Sequence, residues 1–255
     1  MPLLSAITWA VALALELFVL VLALRRKLFS VLPFFFSYLT VVVFDEFALF
    51  AVYRIFGFLS LAAFYAYWGM QGICISLRGL AVYEICRVVL SPYTGVWRMV
   101  RPILALIASA LIFAAFVAAW GDTYRLSSAV LAGERGLELA VAGILLAGLF
   151  FCRHYGIKIH GYLAWIALGL GFYSLVQVGD NTFLEQWLNG FALWADLRHF
   201  SFDIALAFWG IALWKPLPAV RPAPALLSHE EYEELAPQVT VKLRQLNTRL
   251  LEMWK

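Results

Sequence analysis

Seven long apolar stretches follow one another along the chain, at residues 3–24, 33–54, 63–88, 102–120, 127–151, 160–178 and 192–214. Each is long enough to cross a hydrocarbon core as a helix, which takes about 20 residues. The runs are continuous, without the in/out alternation of a transmembrane barrel. An open strand in lipid leaves backbone groups without partners, so every run is expected to be helical. Pro33 and Pro102 open their runs, where a first-turn proline is tolerated. The pattern predicts an all-α, polytopic membrane protein, a seven-transmembrane-helix bundle with short loops over residues 1–215.

The pattern changes after that. Pro216, Pro218, Pro222 and Pro224 fall in a stretch expected to be an extended linker, residues 216–227. Residues 228–255 read as an amphipathic helical tail on the cytoplasmic side. Ser228 and Glu231 form a capping box. Val239, Leu243, Leu246, Leu250 and Trp254 recur near helical spacing, opposite Lys242, Arg244 and Arg249. A stripe of this kind is marginal as a free helix. Leu243, Leu246 and Leu250 are therefore expected to dock on a protein partner, with the inner leaflet as the competing surface.

Composition narrows the class. Hydrophobic residues make up 64% and charged residues 14%, against about 25% charged in soluble domains. That excludes a soluble α/β enzyme, a secreted disulfide scaffold and a disordered chain. A net charge of +3 gives no reason to expect nucleic acid, so membrane lipids are the first partner. Cys74, Cys86 and Cys152 are scattered and suggest neither disulfides nor a metal spacing. Arg25, Arg26 and Lys27 follow the first apolar run instead of preceding it, so that run is expected to be a retained span, not a cleaved signal.

Basic residues set the orientation. With the C-terminus inside, Arg25, Arg26, Lys27, Arg87, Arg98, Arg101, Arg153, Lys158 and Lys215 lie inside before the tail is considered. Only Arg54, Arg125, Arg135 and Arg198 lie outside. Met1 is expected outside and the tail in the cytoplasm.

Three strings stand out in and after the third run: Phe64-Tyr65-Ala66-Tyr67-Trp68, Ala81-Val82-Tyr83-Glu84-Ile85 and Val89-Leu90-Ser91-Pro92-Tyr93. With the Glu134-Arg135 pair of the fifth run, they resemble a family of uncharacterised bacterial seven-span membrane proteins. The resemblance covers most of residues 20–215. It implies a bacterial inner-membrane location and carries no activity, so it assigns no residue a role.

Charges within the apolar runs carry the candidate chemistry, because each costs about 2.5–3.5 kcal/mol at the bilayer centre even on a lenient scale. They are Glu16, Asp45, Glu46, Arg78, Glu84, Glu134, Arg135, Glu138, Asp196, Arg198, His199 and Asp203. At a rise of 1.5 Å per residue, Glu16 and Arg78 fall at similar depth and form a candidate pair. Asp45, Glu46, Glu134, Arg135, Glu138, Asp196, Arg198, His199 and Asp203 form a candidate polar intramembrane cluster. Asp196, His199 and Asp203 share one helical face, at i, i+3 and i+7. Three readings of that stripe stay open: an ion-pair lock between spans five and seven through Arg135 and Arg198, a proton or ligand path, and a metal half-site completed by Glu134 and Glu138.

No cofactor is expected. His154 and His160 lie on the opposite side of the membrane from His199, which disfavours haem. The last run has no central lysine for retinal. No phosphate-binding, zinc-protease or nucleophile-elbow motif appears, so the chain is not expected to be an enzyme. The leading expectation is a sensor or an accessory subunit of an inner-membrane assembly. The alternative is a small proton- or ion-coupled transporter using the acidic cluster.

Orientation gives the first test. A reporter fused after Lys255 is expected to read cytoplasmic. A periplasmic reading overturns both the orientation and the number of spans.

Overall fold

The computed structural model describes residues 3–120, 125–154, 159–179 and 192–214, with Pro237 and Val241. For residues 3–9, Thr94 and residues 192–199 the description is of backbone alone. Among the described residues the chain is all-helical: α1 (Leu3–Arg25), a 3-10 turn (Leu28–Ser30), α2 (Pro33–Phe56), α3 (Leu61–Leu90), α4 (Thr94–Trp120), α5 (Arg125–His154), α6 (Gly161–Gly179) and α7 (Ala192–Trp214). The chain divides into two units, Met1–Leu217 and Pro218–Lys255. The tail stripe of Leu243, Leu246 and Leu250 lies outside the described residues.

Four of these helices, α2, α4, α5 and α6, are long and apolar enough to cross a membrane. This is a helical membrane protein. α3 is longer than any of the four except α5, but Gln71, Arg78 and Glu84 interrupt its apolar surface.

One boundary differs from expectation. The fourth helix begins at Thr94, so Pro102 lies inside it and not in its first turn. The sequence around Trp97, Arg98 and Arg101 is polar enough to resemble a loop, yet the helix runs on beneath it. Proline there removes one backbone hydrogen bond.

Contacts between helices define a closed ring: α1 packs on α2, α2 on α3, α3 on α5, α5 on α6, α6 on α7 and α7 on α1. α4 stands outside the ring, packed mainly against α5. The apolar core draws on every ring helix and on no residue of α4. Met99, Ile103, Leu106, Ile112, Phe113 and Phe116 of α4 are exposed, as a lipid-facing helix requires.

Trp209 of α7 centres the core. It is fully buried, its indole N–H donates to the Ile166 carbonyl at 3.2 Å, and Phe35, Tyr38 and Phe202 meet it edge-on. Edge-to-face ring pairs add about 0.5–1.5 kcal/mol each beyond area burial. α6 can approach this ring only because residue 169 is glycine. A Cβ there would collide with Trp209 Nε1 and come within 3.1 Å of the Ala205 carbonyl.

Two charged side chains tie helix ends together. The Glu84 carboxylate of α3 accepts the Phe34 and Phe35 backbone N–H groups, both at 3.0 Å to Oε2. These are first-turn donors of α2, which have no partner within their own helix. Leu32, at the cap position, offers no side-chain hydrogen bond, so Glu84 supplies it from a neighbouring helix. Negative charge also suits the positive end of the helix dipole. Arg26, just after α1, does the converse. It donates to the Leu213 carbonyl at 3.2 Å and the Trp214 carbonyl at 2.6 Å, the last acceptors of α7. Between Arg26 and α2 the chain turns through Lys27, held in the left-handed region at φ 53°, and buries Leu28 and Leu32.

The α6–α7 contact yields a prediction. Gly169→Ala should destabilise the bundle by about 1–3 kcal/mol, the usual penalty of overpacking. Gly148→Ala, where a Cβ meets nothing within 4 Å, should leave the detergent melting temperature unchanged. Equal melting temperatures for the two variants would remove the close-approach argument.

Candidate functional site

The ring encloses polar side chains at two adjoining stations. At the first, Arg78 of α3 reaches Glu138 of α5, Nη2 to Oε1 at 2.6 Å. Arg78 is 4% exposed and Glu138 is 0% exposed. The guanidinium also lies over the Tyr173 ring of α6, 5.1 Å from its centroid. Tyr173 in turn accepts a hydrogen bond from Gln177 Nε2 at 2.7 Å. Glu134, one turn from Glu138, and Tyr38 of α2 also act on Arg78 through space. One arginine thus joins α3, α5 and α6 and faces α2.

At the second station, carboxylates gather. The charged groups acting on Glu16 of α1 are Glu46, Asp203 and Asp45. Three helices, α1, α2 and α7, contribute these four acids. Glu16 is 5% exposed, and its Oε2 is buried without a hydrogen-bond partner among the described residues. Asp45 Oδ1 is in the same condition.

Cys74 links the two stations. It sits one helical turn from Arg78 on α3, and Asp45, Arg78 and Glu16 all act on it. The buried thiol is a weak hydrogen-bonding group between the ion pair and the acids. Cys74 thus stands in the field of both stations.

Arg78, matched with Glu16 by its position along the run, makes its ion pair with Glu138 instead. Of the other residues in the candidate cluster, Arg135 is exposed and Asp203 acts on Glu16. The ring order stands α6 between α5 and α7. The side chains of Asp196, Arg198 and His199 lie outside the described set, and with them the stripe on the last span. Among the described residues, no group of three or more His, Cys, Asp or Glu is placed to hold a metal ion.

Several interior residues escaped the sequence argument. Tyr38, Tyr173, Ser174 and Gln177 were hidden in runs that read as plain membrane helix. Gln177 and Ser174 carried a signal all the same: both are polar within an apolar span, and both are fully buried.

The chemistry available here is ionic. The Arg78–Glu138 pair is buried in a medium where removing one member strands a charge, at about 3–5 kcal/mol. Arg78→Leu should therefore destabilise strongly in a detergent melting series. Arg78→Leu with Glu138→Leu should recover most of the loss. A double variant as unstable as the single one would mean that the two side chains are not energetically coupled.

Comparison with protein-family models, with curated proteins and with solved structures returns no match to this chain.

Proposed function

We propose that this protein is a small proton-coupled transporter whose coupling site is the carboxylate group of Glu16, Asp45, Glu46 and Asp203. The observation that supports it is the Glu16 carboxyl, 5% exposed and with Oε2 buried and without a hydrogen-bond partner among the described residues, in the field of Glu46, Asp203 and Asp45 from α2 and α7. A buried carboxylate with like charges acting on it requires compensating positive charge. A proton, a cation or an arginine can supply it, and protons are the compensation that varies with pH. Ionisable groups within a membrane bundle commonly mark such relays. The neighbouring Cys74 and the Arg78–Glu138 pair give the site a fixed wall and a charged second station. Within this reading the bundle has seven spans, with Met1 outside and the tail in the cytoplasm. It lies in a bacterial inner membrane and belongs to the seven-span family that its sequence resembles. The reading as a sensor or accessory subunit depends on the tail stripe, which lies outside the described residues; the ring interior favours the transporter.

The test is a rapid pH jump on the full-length protein adsorbed in liposomes to a solid-supported membrane. Proton binding should give a transient current. Glu16→Gln and Asp45→Asn should each reduce it, because removing one acceptor from a coupled set changes the proton uptake of the whole set. Folded wild-type protein that gives no current on the jump would overturn the proposal, as would undiminished currents in both variants.

A further inference from the structure

A second feature lies on the other side of α3 and owes nothing to the acids. Because α4 leans mainly on α5 and only slightly on α3, a half-open crevice of about 630 Å3 is left between the three helices. That volume lies within the range of small-molecule and lipid sites. Its floor is built from small residues, among them Gly72, Gly79, Ala105, Ala108 and Gly133. Side chains there would close it: a Cβ on Gly79 would already stand 3.3 Å from Leu137.

The lining is almost wholly apolar. Ser76 lines it, but its hydroxyl is committed to the Gly72 carbonyl at 2.8 Å. An apolar cavity of this kind does not hold water stably. Along α4 the lining runs from Arg101 to Ala115, which at 1.5 Å per residue is about 21 Å. One leaflet of hydrocarbon is roughly half of a 30 Å core. The crevice therefore has the length of a whole acyl chain.

One end is different. Arg101 is the charged residue of the lining, and Arg98 lies one turn away on the same face of α4. Both are exposed. Tyr83, also in the lining, packs against Trp97 at a centroid distance of 5.6 Å. Tyrosine and tryptophan beside arginine are the side chains of the headgroup level. Basic pockets between membrane helices bind anionic headgroups.

We propose that the crevice between α3, α4 and α5 is a binding site for an anionic phospholipid, with one acyl chain along its apolar length and the phosphate against Arg98 and Arg101. The length of the lining fits the chain, and the paired positive charge at one end fits the headgroup. A neutral isoprenoid would fill the length but leave the arginines without a role.

The test uses full-length protein in nanodiscs of equal phosphatidylglycerol and phosphatidylcholine, followed by extraction into detergent and native mass spectrometry. Wild type should retain about one phospholipid, with phosphatidylglycerol favoured about tenfold over phosphatidylcholine, as two arginines near a headgroup imply. Arg98→Gln with Arg101→Gln should keep the lipid but lose the preference. Ala108→Trp, and independently Gly133→Leu from α5, should lose the retained lipid. Phosphatidylglycerol carrying a photoreactive acyl chain should crosslink in wild type to α3, α4 and α5 lining peptides, a readout that needs no variant. Crosslinks confined to the outward face of α4 would overturn the site. Retention of a neutral isoprenoid in place of phospholipid would overturn the ligand, and a preference that survives loss of both arginines would overturn the headgroup contact.

Discussion

The ring of helices depends on one buried ion pair. Arg78 and Glu138 meet where water is excluded, and neither could have been placed there alone. The arginine serves three neighbours with one planar group: a carboxylate on α5, an aromatic face on α6 and the electrostatic field at Tyr38 of α2. A lysine could not do this, since it has no flat surface to lay over the Tyr173 ring while its charge meets a carboxylate. Interior polarity then follows from the pair. Once a charge is fixed at that depth, hydroxyl, amide and thiol groups nearby become favourable, and Tyr173, Gln177 and Cys74 fill that zone.

Packing among the helices obeys a different rule from packing in a soluble core. Apolar side chains gain little by leaving lipid for protein, so close approach and hydrogen bonding decide which helices meet. The α6–α7 contact illustrates it. A glycine removes the obstacle, an indole fills the space and donates its N–H to a helix carbonyl, and three more rings complete the cluster around it. Toward α3, α4 has the Tyr83–Trp97 ring contact, but it packs mainly on α5 and stays at the periphery.

Much of this was legible in the residues. Apolar runs marked the described helices with boundaries within a few residues, apart from the start of α4 at Thr94 where the run begins at Pro102, because run length and helix rise are the same measurement in different units. Position around the ring was not legible. Nothing in the order of residues says that α3 packs on α5, so the Glu138 partner of Arg78 could not be read from positions along the runs. The helical ends of α2 and α7 were equally hidden. Glu84 read as a charge within the third run and Arg26 as one of the basic residues that set the orientation, and only the fold brings them onto backbone groups 49 and 187 residues away.

Those two clasps have a mechanical consequence. Glu84 holds the start of α2, Arg26 holds the end of α7, and both tie them to the helices beside them at one mouth of the ring. Four helices are thereby fastened at the same end by charge-assisted bonds. Fraying at this mouth would strand backbone donors or acceptors and a charged side chain in the same event, so the helix ends there resist opening more than uncapped ends do.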